Sequence, residues 1–209
     1  MGPTLIVIAK APVAGRVKTR LVPPLTYSQA ADVARAALAD TLQIASAVPA
    51  ATHVLALDGR PGPWLPTGWR VVAQPGGGLD ARLAAAFAAV RPDAPALLIG
   101  MDTPQVRVDQ LAAFDPVRHD AAFGPATDGG FWALGLREPG RAAQLISGVP
   151  MSVPHTGAVQ LERLRQAGLD VQLLDPLTDV DTIAAADEVA RSAPSGGFAR
   201  ALAGLRVPA

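Results

Sequence analysis

Two hydrophobic patterns alternate along most of this chain, short unbroken apolar runs and longer alanine-rich stretches with apolar residues at helical spacing. The first run, TLIVIA from Thr4 to Ala9, has no charge within it and reads as a strand buried on both faces of a sheet. Comparable runs predict further core strands at His53 to Leu57, Arg70 to Ala73, Ala96 to Ile99, Ala121 to Phe123, Phe131 to Leu136 and Val171 to Leu174. Helices are expected over Ser28 to Ala47, Leu79 to Val90, Val108 to Phe114, Gly140 to Ile146, Gly157 to Ala167, Thr182 to Ser192 and Phe198 to Leu205. Strands and helices in alternation predict an α/β domain, with helices covering a largely parallel sheet.

The local signals refine these elements. Ser28 is expected to cap the first long helix and Asp181 the late one. GRPGPWLPTGW, Gly59 to Trp69, reads as a surface connection, and SAPSGG, Ser192 to Gly197, as a hinge before a C-terminal helix. That helix either packs on the body or offers an apolar face for a homodimer.

At 209 residues, half of them apolar, one domain spanning 1–209 with one sizeable core is the expectation. Lys+Arg and Asp+Glu are balanced at 18 each, which argues against a generic nucleic-acid or membrane surface. The absence of cysteine excludes disulfides, thiol nucleophiles and zinc-thiolate sites. The N-terminal apolar run is too short for a membrane span and lacks a preceding basic region, so a cytoplasmic location is expected.

Against this neutral background one segment stands out. The chain has only two lysines, Lys10 and Lys18, and both fall in AKAPVAGRVKTRL with Arg16 and Arg20, directly after the first strand. The loop lies at the carboxyl edge of a parallel sheet, where ligands bind in open α/β folds. Clustered cations repel one another unless an anion lies between them, so the loop predicts phosphate binding. Gly15 permits close approach of backbone to phosphate, and Pro12 limits the loop's freedom. The segment matches neither a Walker loop nor a dinucleotide fingerprint, and a solvated charged loop is the alternative.

Four further segments carry candidate chemistry. In LLIGMDTPQ, Asp102 lies just past a strand at the same edge, where a carboxylate near phosphate implies Mg²⁺ or Mn²⁺; the alternative is an Asx-turn before Pro104. In FGPATDGGFWALGL, Asp128 is either a candidate base or substrate-hydroxyl acceptor or part of a plain Asp-Gly turn, Gly129 and Gly130 leave room for substrate, and Trp132 either stacks on a sugar or base or fills the core. LTDVDT holds Asp179 and Asp181, of which Asp181 is a candidate second metal ligand. QPGGGLDARL contributes Gln74 and Arg82, with Arg82 placed to reach a nucleotide phosphate or ribose. His155, in a Pro/Gly loop, is a candidate to approach the substrate, whereas His53, in a strand, reads as structural.

Taken in order, KAPVAGRVKTRL, QPGGGLDARL, IGMDTPQ, GPATDGGFWALGL and LTDVDT resemble a bacterial family of provisionally assigned glycosyltransferases, catalogued as domain of unknown function 2064. The resemblance runs over nearly the whole chain. It implies a glycosyltransferase-A or nucleotidyltransferase-like fold, a three-layer αβα sandwich with a mostly parallel mixed sheet. It also implies that Lys10 to Arg20 cradle nucleotide phosphates, that Asp102 is the metal-binding aspartate, and that Asp128 and Asp181 line the site. The chain departs from the family where many members carry an acidic residue in place of Gly78; Asp80 follows two positions later. It departs again at Met151, Ser152 and Val153, where many read Trp-Ser-Thr.

The leading functional expectation is a metal-dependent transferase that uses a nucleotide-diphosphate sugar and a small-molecule acceptor, with Asp128 and Lys18 as catalytic candidates. Nucleotidyl transfer from a nucleoside triphosphate, with attack at its α-phosphate, is the alternative. A non-catalytic nucleotide-binding protein is the third reading.

Overall fold

A computed structural model describes residues 2–50 and 52–205. Seven strands form one sheet: β1 (Thr4–Lys10), β2 (His53–Asp58), β3 (Arg70–Ala73), β4 (Ala96–Gly100), β5 (Ala121–Pro125), β6 (Phe131–Leu136) and β7 (Val171–Leu173), in the spatial order β3-β2-β1-β4-β6-β5-β7. All neighbouring pairs are parallel except those made by β6, which runs antiparallel to both β4 and β5. The expected α/β fold with a mostly parallel mixed sheet is therefore the observed one. β1 is central, which accounts for its uninterrupted apolar sequence.

Helices cover both faces. Leu5, Val7 and Ala9 of β1 face α1 (Tyr27–Ser46), whose Ala34, Leu38 and Leu42 are fully buried. Ile6 faces the other way, toward Leu83 and Phe87 of α2 (Leu79–Ala88), with α4 (Ala142–Ile146) and α5 (Thr156–Gln166) completing that layer. The single-turn α3 (Val108–Leu111) follows β4. A third apolar cluster joins α1 to α6 (Ile183–Ser192) and α7 (Gly197–Gly204), and includes Leu21 and Val180. The C-terminal helix thus packs on the body of the protein, where the Asp40 carboxylate accepts the Gly197 and Phe198 N–H groups at its start, at 3.0 and 2.7 Å.

Several boundaries differ from expectation, each for a local reason. Thr26, not Ser28, caps α1: its hydroxyl accepts the Gln29 N–H at 3.2 Å, and the Gln29 side chain accepts the Thr26 N–H at 2.8 Å, a reciprocal capping box. Thr182, not Asp181, caps α6 by accepting the Ala185 N–H, which leaves the Asp181 carboxylate for other partners. The helix expected over Val108 to Phe114 ends at Leu111. Arg70 to Ala73 is an edge strand and not a core one; with β2 as its sole neighbour, three of its four residues are exposed.

Candidate functional site

Where β1 and β4 end and β6 begins, the sheet opens into a cleft of about 670 Å³. Ile8, Leu98 and Phe131 contribute to its lining from the strands. The basic loop and the β4 end contribute Lys10, Arg16, Lys18, Arg20 and Asp102, and Asp179 and Asp181 join them. Gln74 and Arg82 come from the β3–α2 segment, and Met151 to Pro154 from the segment before α5. Volumes of this order hold nucleotide-sized ligands.

The basic loop enters the cleft through Lys18. Its backbone adopts the left-handed conformation (φ 49°), at the start of a 3-10 turn over Thr19–Leu21 whose Leu21 is buried against α1 and α6. This turn carries the ammonium inward: the side chain is 5% exposed, with Nζ 2.7 Å from Asp102 Oδ1 and 3.4 Å from Asp181 Oδ1. Lys18 Nζ also donates to the Val180 carbonyl. Val180 N–H in turn donates to the Asp102 carbonyl at 2.9 Å, so one residue fastens the LTDVDT segment to both the β4 end and the basic loop. Burial opposes the charge on Lys18, but the Asp102 and Asp181 carboxylates outweigh it and hold the ammonium pKa above its ordinary value.

The loop's cations are thus held mainly by the protein's own carboxylates, where the sequence pointed to an external anion. Lys18 meets Asp102 and Asp181, Arg20 meets Asp181 at 2.9 Å, and Arg16 lies 3.6 Å from Asp58. Lys10 differs: its side chain is exposed and, among the described residues, makes no hydrogen bond or ion pair. Pro12 and Gly15 shape the loop but do not line the cleft.

Acidic charge accumulates behind Lys18. Burial pushes the Asp179 carboxyl up to about 7, and the carboxylates of Asp102 and Asp128 add to the rise while Lys18 opposes it. Sequence reading noted Asp179 only as the partner of Asp181; the Asp-x-Asp spacing was the available signal. Among the described residues no cluster of three metal-ligating side chains is assembled. The donor set nevertheless fits Mg²⁺ or Mn²⁺, because Asp102 and Asp181 already share one cation, the Lys18 ammonium. Magnesium is commonly held by one or two carboxylates completed by water and substrate phosphates.

Gln74 anchors the opposite side. Its Nε2 donates to the Ala9 and Ala56 carbonyls, both at 2.8 Å, and ties the ends of β1 and β2 together. Its Oε1 accepts from Arg82 Nη1 at 3.4 Å. Both residues predicted from the glycine-rich turn therefore line the cleft, with the Gln74 amide hydrogens committed to the fold.

The TDGGFW segment divides its roles in a way its composition did not reveal. Asp128 lines the cleft and its Oδ1 accepts the Gly130 N–H at 2.8 Å, closing an Asp-Gly turn. Gly130 lines the cleft, but Gly129 serves packing: a Cβ there would lie 1.9 Å from the Pro154 carbonyl oxygen, and its φ is +92°. Trp132 is 2% exposed, and its Nε1 donates to the Asp175 carbonyl at 3.0 Å. Trp132 is among the residues that line the cleft, but its ring packs in the core on the sheet face opposite Phe131, which leaves almost no surface for stacking on a ligand. His155 is exposed and outside the cleft lining. Its neighbours Met151, Ser152, Val153, Pro154 and Thr156 do line it, the first three being positions where the chain departs from the resemblance.

No match was found among curated protein sequences. Solved structures do match. One from Desulfovibrio desulfuricans G20, provisionally described as a nucleotide-diphospho-sugar transferase, is 27% identical over 87% of this chain and 84% of its own, with a TM-score of 0.75. The manganese complex of Rv0371c from Mycobacterium tuberculosis H37Rv is 23% identical over 90% of this chain and 97% of its own, with a TM-score of 0.54. CMP:2-keto-3-deoxy-manno-octonic acid synthetase complexed with CTP is 14% identical over 93% and 99%, with a TM-score of 0.57. The last two are likenesses of fold. Residues 29–153 match the family described as an uncharacterized protein conserved in bacteria, DUF2064, and this chain belongs to that family.

Proposed function

We propose that this chain transfers a sugar from a nucleotide-diphosphate sugar to the hydroxyl of a small acceptor. The observation that carries the reading is the convergence, in one cleft, of Lys10, Lys18 and Arg20 with the carboxylates of Asp102 and Asp181, and with Asp128 also lining that cleft. Lys10 presents an unpaired ammonium at the end of β1 for a phosphate oxygen. Lys18 and Arg20 neutralise carboxylates that would otherwise repel a diphosphate.

Asp102 and Asp181 are the residues that would hold Mg²⁺ or Mn²⁺. Bound there, the cation would supply charge stabilisation to the departing diphosphate. Asp128 would accept the proton of the acceptor hydroxyl. Resemblance in sequence and structure to a protein provisionally described as a nucleotide-diphospho-sugar transferase supports this reading above others on the same fold.

Nucleotidyl transfer, in which the acceptor attacks an α-phosphate and pyrophosphate leaves, uses the same cations. Their position directly after β1 suits a triphosphate, which keeps this as the second reading. A thermal-shift panel of the metal-free protein against nucleoside triphosphates and nucleotide-diphosphate sugars, each with and without Mn²⁺, separates the two. Metal-dependent stabilisation by one diphosphate sugar is expected. Stabilisation by one triphosphate alone would replace the first reading with the second, and binding without turnover would point to a nucleotide-binding protein.

A further inference from the structure

The side of the cleft that carries Asp128 has a distinctive make-up. The segment Pro150 to Gly157 is locked onto the Asp128 turn by two contacts that admit no side chain. Gly129 abuts the Pro154 carbonyl, and Gly157 donates its N–H to the Gly129 carbonyl at 2.8 Å, where a Cβ would lie 2.4 Å from the Gly130 carbonyl oxygen. Thr156 closes the segment internally: its hydroxyl donates to the Pro150 carbonyl at 2.8 Å, and Val153 N–H donates to that hydroxyl at 3.2 Å. Asp128 and this segment therefore form one preformed wall.

Its cleft-facing residues are Phe131, Met151, Val153 and Pro154, with Ser152 and the buried Thr156 as the polar members. Among the described lining residues, every cation lies elsewhere: Lys10, Arg16, Lys18 and Arg20 on the β1 loop, and Arg82 turned toward Gln74. The wall's own charged member, Asp128, is negative. A phosphate or carboxylate on the acceptor would meet a largely apolar surface beside the Asp128 carboxylate, with no cation on the wall to neutralise it, which is unfavourable.

We infer that the acceptor is an uncharged alcohol with an apolar body, its hydroxyl at Asp128 and its apolar part against Phe131, Met151 and Val153. The inference rests on the glycosyl-transfer reading for the reaction itself. In that reaction the acceptor oxygen forms a bond to the anomeric carbon and the bond from that carbon to the diphosphate oxygen breaks. The hydroxyl proton passes to the Asp128 carboxylate, and the nucleoside diphosphate leaves with the bonding electrons.

Two glucosides and a sugar phosphate test the acceptor class. Methyl β-D-glucoside, n-octyl β-D-glucoside below its micellar concentration and glucose 6-phosphate are titrated calorimetrically into the Mn²⁺-loaded protein. The octyl compound is expected to bind about tenfold or more tighter than the methyl compound, and the phosphate no tighter than the methyl compound. Val153→Asp should abolish the octyl advantage, and the milder Val153→Thr, which keeps the shape, should reduce it. Tighter binding of glucose 6-phosphate, an octyl advantage that survives both variants, or no octyl advantage would each overturn the inference. The donor panel is scored separately. Retained nucleotide-sugar binding with no octyl advantage refutes the acceptor class alone, whereas an octyl advantage with triphosphate-only binding refutes the sugar-transfer reading alone.

Discussion

Lys18 Nζ lies 2.7 Å from Asp102 Oδ1, and this ion pair places the ammonium between two carboxylates suited to a divalent cation. Lysine and metal cannot both occupy that space at full charge and short distance. Lys18→Met should therefore raise the affinity of the nucleotide-free protein for Mn²⁺ by about tenfold, the scale of a single charge–charge contact in a partly screened site. In the presence of saturating Mn²⁺ the same variant should bind nucleotide more weakly. A manganese titration followed by electron paramagnetic resonance reads the first effect, and an unchanged or weakened affinity would show that Lys18 and the metal do not compete.

The same contact makes Lys18 structural as well as functional. In a loop that only cradles phosphate, Lys18→Ala would leave folding nearly unchanged. With Lys18 5% exposed and Asp102, Asp179 and Asp181 around it, the variant should lose stability in the absence of metal. About 1–2 kcal/mol is expected, less than for a fully buried pair because Asp102 is 40% exposed. Urea denaturation with and without Mn²⁺ checks this, and the metal should restore part of the loss.

Asp102→Asn removes the carboxylate that Lys18 and the proposed cation share, while it keeps the side chain's shape. The manganese-dependent part of any nucleotide stabilisation should vanish. A magnesium or manganese titration indistinguishable from that of the parent protein would relocate the metal.

Most of the framework was legible because buried strands and amphipathic helices leave periodic apolar signatures, as in TLIVIA and the α1 stretch. What failed was legibility at contacts between distant segments. The pairing of Lys18 with Asp102 and Asp181 spans 84 and 163 residues, and no local pattern encodes it. Trp132 reads alike as a stacking platform or a core side chain until Gly124, with no room for a Cβ beside its ring, shows that it is packed. Thr26 is legible in the sequence, since Thr-x-x-Gln is a capping-box pattern, whereas Ser28 lies inside the helix and is exposed.

Asp80, in the first turn of α2, supplies a pH dependence of defined sign. The Gly148 N–H donates to its carboxylate at 2.9 Å, and that bond, with a further one from its own helix at Ala81, holds its pKa below the ordinary carboxylate value. A depressed folded-state pKa contributes stability that is present above the unfolded value of 3.8 and is lost as pH falls through the folded value. Asp80→Ala should accordingly lower the melting temperature slightly at pH 7. The gap to the parent protein should narrow as pH drops below about 4. A gap independent of pH would mean that the carboxylate charge is not what ties α2 to the segment after α4.

Gly129 and Gly157 give the sharpest test of the preformed wall. Alanine at Gly129 would bring Cβ to 1.9 Å from the Pro154 carbonyl oxygen in a backbone conformation (φ +92°) that side chains rarely adopt, and alanine at Gly157 would reach 2.4 Å from the Gly130 carbonyl oxygen. Neither obstacle is a flexible side chain, so the 150–157 segment must move away from the Asp128 turn. Each substitution should cost about 2–3 kcal/mol, the range for overpacking and local backbone strain. The Lys18–Asp102 pair lies on other segments, so Mn²⁺ affinity should survive at temperatures where the variant is folded. Loss of the octyl glucoside advantage together with retained Mn²⁺ binding would locate the damage in the wall. Equal loss of both would show instead that the wall and the ionic cluster form a single cooperative unit, held by the Asp128 turn between them.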